Sequence, residues 1–306
     1  MTTETAQIRR LVARGKRLDK VFVILGLMSL MVGVLTLAVL LAGLVHDGAA
    51  RLDWDFFTRF PSRRAGNAGI LSAIVGSTLV MLITALTAIP LGVAAGVYLE
   101  EYARRNWLTE IIEINVNNLA GVPSIIYGLL ALGLFVYALD FGQSILSAGL
   151  TLALLIRPVI IVATREAIRA IPSNIREGAH ALGATRWQMV RDHIIPYSTG
   201  GILTGGIIGL ARAIGETAPI ITIGALTFIA FLPDPPLSAE FPFVSFEWLK
   251  SPFTVMPIQM FNWMSRPQAA FQVNAAAAGV VLVVMTLVMN GAAIWLRMRY
   301  RKRIKW

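Results

Sequence analysis

Long apolar runs divide this sequence, and they restrict the fold more than any other feature. An α-helix needs about 20 apolar residues to cross the ~30 Å hydrocarbon core of a bilayer, and the runs here reach that length. None alternates apolar and polar residues as the strands of a membrane barrel do. We predict an all-α integral membrane protein with six transmembrane helices at residues 21–45, 70–98, 112–138, 144–165, 200–231 and 274–296.

The distribution of basic residues predicts the orientation of these helices. Six crossings place both termini on one side of the membrane, and both the lead-in at 1–20 and the tail at 297–306 are basic. Basic residues concentrate in cytoplasmic segments, so we expect cytoplasmic termini. The other inner segments then hold Arg104, Arg105, Arg165, Arg169, Arg176, Arg186 and Arg191. This asymmetry explains the formal charge of +10 without a nucleic-acid partner.

The sequence lacks the residue patterns of an enzyme or a metal site. It contains no cysteine, which excludes disulfides and thiolate ligands. Its histidines, His46, His180 and His193, show no metal-ligand spacing, and no glycine-rich loop of the ATP-binding type is present. We therefore predict no catalytic residue, no metal site and no cofactor bound by this chain.

Charged residues fall inside two predicted spans: Arg157 in the fourth, and Arg212 with Glu216 in the fifth. Such a residue costs about 2.5–3.5 kcal/mol at the centre of a membrane helix, so each needs a partner or a polar path. Arg212 and Glu216, four residues apart, can pair on one helical face. One interpretation is a structural ion pair. We favour a second, in which Arg157 leaves an excess positive charge that suits a tetrahedral oxyanion.

Glycine recurs at four-residue spacing in the fifth span, at Gly201, Gly205 and Gly209. Small residues at this spacing let another helix approach closely. We expect the stripe to pack against a second membrane subunit or another helix of this chain.

Amides and helix breakers are dense in the third span, which contains Asn115, Asn117, Asn118 and Gly121-Val122-Pro123-Ser124. Lipid cannot satisfy such groups, so this segment should face protein or a water-filled path. A buried kink with satisfied amides and direct contact with a substrate are both compatible with the pattern.

A polar loop between the fourth and fifth spans resembles the EAA motif of ABC importer permeases. The resemblance rests on Glu177-Gly178-Ala179, on Gly183 and on Pro196 after Ile195. It implies a coupling helix at about 174–187 that fits a groove on a cytoplasmic ATPase subunit. Two positions differ from the usual motif, since Gly178 replaces an alanine and His193 replaces an aliphatic residue.

The segment Ala211-Arg212-Ala213-Ile214-Gly215-Glu216-Thr217 resembles the signature of phosphate-specific transporter permeases, and Ala218-Pro219 favours their PstA type. Supporting matches are Leu119 to Ile125 and Ala95 to Tyr102. The resemblance implies a type I importer core at 70–296 in the bacterial inner membrane, with Arg157, Arg212 and Glu216 on the phosphate path.

The same resemblance implies partners and a division of labour. These are a homologous PstC-type permease, two copies of an ATPase subunit that hydrolyses ATP with Mg, an extracytoplasmic phosphate-binding protein and membrane lipid. The outer loops at 46–69 and 232–273 are candidates for docking the binding protein. The alternatives are an importer permease for sulfate, molybdate or phosphonate, a stand-alone secondary transporter or channel, and a scaffold subunit whose path lies elsewhere.

Overall fold

Five helices have the length and apolar composition to cross a membrane, and a sharply bent helix pair supplies a sixth crossing if it counts as one span. The computed structural model describes residues 2–104, 106–235 and 245–301. Within these residues the α-helices are α1 (Thr2–Gly48), α2 (Trp54–Thr58), α3 (Leu71–Val97), α4 (Trp107–Leu119), α5 (Ser124–Ala131), α6 (Ile145–Arg169), α7 (Ser173–Ala181), α8 (Arg186–Met189), α9 (Ile195–Ile214), α10 (Ala218–Ile223), α11 (Met256–Met264) and α12 (Ala269–Arg301). The prediction of an all-α membrane protein is confirmed.

Helix α6 lies at the centre of the packing, between α3 and α9. A Cβ atom at Gly96 of α3 would come within 2.7 Å of Thr164 on α6, so the two backbones are in close contact. On α9, the predicted glycine stripe lies against the same helix. Gly201 contacts Ala167, and Gly205 contacts Ala163. Because the residue numbers rise on α9 as they fall on α6, these two helices are antiparallel.

The third predicted span is broken in the structure. Helices α4 and α5 are bent by 109°, and α5 continues through a π-helical turn, Leu132–Ala138. Pro123 has no backbone N–H and disfavours the α conformation in the residue before it, so the chain cannot continue as one helix through Val122.

The fifth predicted span, 200–231, is wrong at both ends. The apolar helical stretch covers Arg186–Ile214, because a π-helical turn, Val190–Ile194, joins α8 to α9 and Pro196 is accommodated in the first turn of α9. The apolar residues that follow Ile214 do not extend α9. They form the short helix α10, which ends at Gly224 in the left-handed conformation with φ of 95°.

The segments predicted as outer loops contain helices that pack into the core. Helix α2 lies within 46–69, and α11 lies within 232–273. Phe56 of α2 and Trp263 of α11 are fully buried with ring centroids 5.9 Å apart. The aromatic residues of both segments are therefore partly used in folding. Residues 236–244 of the second segment lie outside the described residues.

Helix α1 is longer than the predicted 21–45 and runs through most of the basic lead-in. None of the most apolar window of its stretch Leu18–Arg51 is buried. Its C-terminal end reaches α12, where a Cβ atom at Gly48 would come within 2.6 Å of Ala277 N. The last helix, α12, is likewise longer than the predicted 274–296, and residues 302–306 of the tail lie outside the described residues.

Replacement of Gly201 by alanine should destabilise the packing of α9 on α6, because the added methyl group overlaps Ala167 Cβ. Overpacking of this kind costs about 1–3 kcal/mol. Gly200→Ala is the matched control, since a Cβ atom there meets nothing within 4 Å. We expect a lower thermal unfolding temperature for Gly201→Ala alone, measured by fluorescence in detergent. Equal unfolding temperatures would contradict this packing.

Candidate functional site

Arg212 and Glu216 form an ion pair where α9 ends. Arg212 Nε donates a hydrogen bond of 3.2 Å to Glu216 Oε1, as their four-residue spacing predicts. The α-helix stops at Ile214, so Glu216 lies in the break between α9 and α10. The arginine side chain is 40% exposed and the carboxylate only 18%. The pair thus leaves part of the guanidinium open at a break in the helix.

Arg157 lies on α6 at a similar depth. Gly209 of α9 is level with Ile156 and Ile160 of α6, since a Cβ atom at Gly209 would lie 3.5 Å from each of these side chains. Arg212 is three residues further along the antiparallel helix. At 1.5 Å per residue, this register brings Arg212 within one turn of Arg157 in depth. Arg157 Nε is buried and has no hydrogen-bond partner in the described part of the chain.

The broken span packs against the segment that follows Glu216. Tyr127 of α5 donates a hydrogen bond of 2.8 Å to the carbonyl oxygen of Leu119, the last residue of α4. At the next residue, a Cβ atom at Gly128 would come within 2.6 Å of Pro219 Cα on α10. Two interruptions of membrane helices, one in the third span and one after α9, are therefore brought together.

The amides of the third span remain on the surface of the described chain. Asn115, Asn117 and Asn118 are exposed, and Asn115 Nδ2 donates to the carbonyl oxygen of Ile111 at 2.8 Å. The buried kink that the sequence allowed is therefore not what this chain forms by itself. The amides lie on the exposed surface of α4.

The loop between α6 and α9 presents an exposed surface. Helix α7 covers Ser173–Ala181 and is shorter than the predicted 174–187, because the chain turns at Gly183 with φ of 82°. Glu177 is exposed, Ala179 is buried, and Leu182 is 91% exposed. Pro196 lies in the first turn of α9. The described chain therefore leaves Glu177 and Leu182 of this loop uncovered.

The unusual glycine of this loop, Gly178, packs against none of the described residues. A Cβ atom at Gly178 meets nothing within 4 Å, so the alanine found in the usual motif would fit equally well. His193, the other unusual residue, is exposed in the π-helical turn before α9.

A group of ion pairs lies at the helix ends that the basic residues predict to be cytoplasmic. It was not predicted from the sequence, and we call it the inner charge cluster. Its members are Glu100, Glu101, Glu113, Arg165, Arg169 and Arg176. In the sequence, the arginines were interpreted only as topology signals. The adjacent carboxylates Glu100-Glu101 after a membrane span were the available sign that the arginines have partners.

Guanidinium groups, rather than clustered metal ligands, are the charged groups that the described residues supply at this depth. Arg157 and Arg212 supply two guanidinium groups at one depth, and Glu216 supplies the one carboxylate that pairs there. Within the described ranges, no group of three His, Asp or Glu side chains is arranged to hold a metal ion.

Comparison with known proteins gives consistent relatives. A family model described as "Binding-protein-dependent transport system inner membrane component" matches residues 88–305. The chain is 33% identical to the probable ABC transporter permease protein YqgI of Bacillus subtilis, with 87% of this chain and 92% of the relative covered. It is 30% identical to the phosphate transport system permease protein PstA of Yersinia pestis, with 92% and 90% covered.

The fold also resembles a solved transporter. An inward-facing structure of the methionine ABC transporter MetNI superposes with a TM-score of 0.58 at 17% identity, over 76% of this chain and 97% of that chain. At this identity the match establishes the fold alone. Together with the family match, it shows that this chain belongs to the binding-protein-dependent transport system inner membrane components, the membrane-spanning permease subunits of ABC importers.

Proposed function

We propose that this permease imports inorganic phosphate, and that Arg157, Arg212 and Glu216 line its path. The observation that carries the proposal is charge at one depth: the Arg212–Glu216 pair is neutral, whereas Arg157 has a buried Nε without a partner among the described residues. A desolvated oxyanion needs compensating positive charge and N–H donors, and guanidinium groups supply both in a bidentate geometry. Relatives named as phosphate permeases support the choice of anion.

Glu216 has the opposite effect on the anion. Its carboxylate occupies the Nε donor of Arg212 and repels a second negative charge nearby. In this proposal it limits how tightly phosphate is held, so that the anion can leave the path. A transport site must bind well enough to admit the ion and weakly enough to release it.

In this proposal, the conformational change that opens and closes the path is driven from the cytoplasmic side. ATP-driven closure of two cytoplasmic ATPase subunits pushes on the surface formed by α7, Leu182 and Gly183, and an extracytoplasmic binding protein delivers phosphate at the outer segments. A homologous permease of the PstC type completes the path. The exposed Asn117 and Asn118 amides support this assembly, because a partner or a hydrated path would satisfy groups that lipid cannot.

Replacement of Arg212 or Arg157 by alanine should reduce phosphate uptake at least tenfold. Each substitution removes a charge-assisted hydrogen bond worth about 1.5–3 kcal/mol. Uptake of radiolabelled phosphate is measured in vesicles that contain the full complex, with sulfate as competitor. Arg104→Ala, at an exposed arginine between α3 and α4, serves as the control and should leave uptake unchanged.

The outcomes of this experiment separate the alternatives. Competition by sulfate at equal concentration would favour a permease for another oxyanion. Normal uptake by both arginine variants, with assembly confirmed, would contradict the assigned path and support a scaffold role for this subunit.

Reversal of charge at Glu177 should abolish coupling to the ATPase. Glu177 is exposed on α7 beside the protruding Leu182, so Glu177→Arg places a cation in the proposed contact. We expect loss of ATPase co-purification and of uptake. Glu110→Arg changes another exposed inner carboxylate on α4 and should have little effect. Equal retention of the ATPase in both variants would refute this contact.

A further inference from the structure

The inner charge cluster joins the loop helix α7 to the membrane helices through one arginine. Arg176 of α7 donates to Glu101 Oε1 from Nη2 at 2.8 Å and from Nε at 3.0 Å. The same guanidinium donates to the carbonyl oxygens of Ile168 at 3.0 Å and Ile171 at 2.9 Å. Four hydrogen bonds from one side chain therefore bind α7 to the end of α3 and to the end of α6.

The Glu101 side chain is buried, so its carboxylate needs a charged partner. Glu101 lies in the π-helical turn Tyr98–Tyr102 that continues α3, and its side chain is only 6% exposed. A carboxylate at this burial requires a charged partner, and removal of one partner from a buried pair is strongly destabilising. Arg176, 25% exposed, is the partner that the structure gives it.

The neighbouring carboxylate, Glu100, forms its ion pairs with α6 rather than with α7. Glu100 pairs with Arg165 at 3.4 Å and Arg169 at 3.0 Å, both on α6. Arg165 is 5% exposed and lies 2.7 Å from Glu113 of α4, an ionic contact without the alignment of a hydrogen bond. Arg165 thus joins α6 to α3 through Glu100 and to α4 through Glu113, and Glu101 adds α7 to this unit.

The other end of α7 is held differently. After Ala181 the chain passes through the left-handed Gly183 and enters α8 at a capping box formed by Thr185 and Gln188. Ala179 and Met189 bury apolar surface at this end, in a cluster that also contains Val97 of α3. Apolar contacts are non-directional and allow sliding, whereas the Arg176 contacts fix both distance and direction.

We propose that the Glu101–Arg176 pair is the link that transmits displacement of α7 to α3, so that both are positioning residues for transport. This inference rests on the proposed function, since it assumes that an ATPase moves α7. Without the pair, α7 still binds the ATPase through its exposed face, but its movement no longer carries α3. ATP hydrolysis and anion movement then become separated.

The absence of native cysteine allows a reversible test. Glu101 and Arg176 are both replaced by cysteine in a complex whose other subunits are cysteine-free. A short bis-methanethiosulfonate reagent then joins the two cysteines through two reducible disulfides, with methanesulfinate as the leaving group. Phosphate uptake and ATP hydrolysis are measured in the same vesicles. We expect the double-cysteine variant without cross-linker to transport at least fivefold less phosphate per ATP than wild type. Cross-linking should restore the ratio of phosphate to ATP, and reduction of the cross-link should lower it again.

Two further variants keep the test decisive if the cysteine pair assembles poorly. Glu101→Gln retains a hydrogen-bond acceptor but removes the charge, and should give a smaller loss of transport per ATP. Arg169→Gln removes an ion pair that is 46% exposed at the arginine, where solvent weakens such pairs. Glu100 keeps Arg165 as a partner, so this variant should match wild type. A wild-type ratio of phosphate transported to ATP hydrolysed, both in Glu101→Gln and in the double-cysteine variant without cross-linker, would overturn the proposed link.

A second measurement distinguishes a wrong substrate assignment from a wrong assignment of the link. Wild-type vesicles that accumulate no phosphate would contradict the proposed function, and the link is then measured as stimulation of ATP hydrolysis by the binding protein added outside. Loss of that stimulation in Glu101→Gln, with basal hydrolysis retained, supports the link whatever the cargo. Stimulation equal to that of wild type overturns it.

Discussion

Close approach of backbones around α6 is the constraint on which the other elements depend. Lipid gives apolar helices no hydrophobic reason to associate, so close packing must hold them together. Gly96 on α3 and Gly201 and Gly205 on α9 bring two helices against α6, two-thirds of whose apolar window is buried. This contact sets the depth of Arg157 relative to Arg212, and it aligns the inner ends of α3 and α6 so that Glu100 meets its arginines.

The sequence predicted the class of fold because helix length and apolarity are local properties. It misplaced the fifth span because hydropathy records an apolar run without recording where the backbone turns. Gly215 and Pro219 end one helix and begin another inside such a run. The outer segments were predicted as loops because they are rich in polar and proline residues. No local pattern shows that Phe56 and Trp263, which are far apart in the sequence, pack against each other.

The candidate site divides in the same way. The Arg212–Glu216 pair follows from a spacing of four residues on one helix, and the structure contains it. Glu101 and Arg176 are 75 residues apart, so their contact depends on the register of α3 against α6, which one sequence does not encode in any local pattern. The roles of Arg157, Arg212 and Glu216 in transport are still predictions, since their geometry is compatible with anion binding without requiring it.

The uncovered surfaces of the chain have a consequence for how the cell must make it. Helix α1 exposes apolar side chains, which suit lipid, whereas α4 exposes amides, which need water or a polar protein partner. The isolated subunit therefore leaves two surfaces uncovered that require different surroundings. Its folded state is stabilised by mass action when partner chains bind. A copy made in excess lacks that stabilisation and is open to chaperones and membrane proteases. A supply of partner chains matched to that of this subunit therefore favours its folded state.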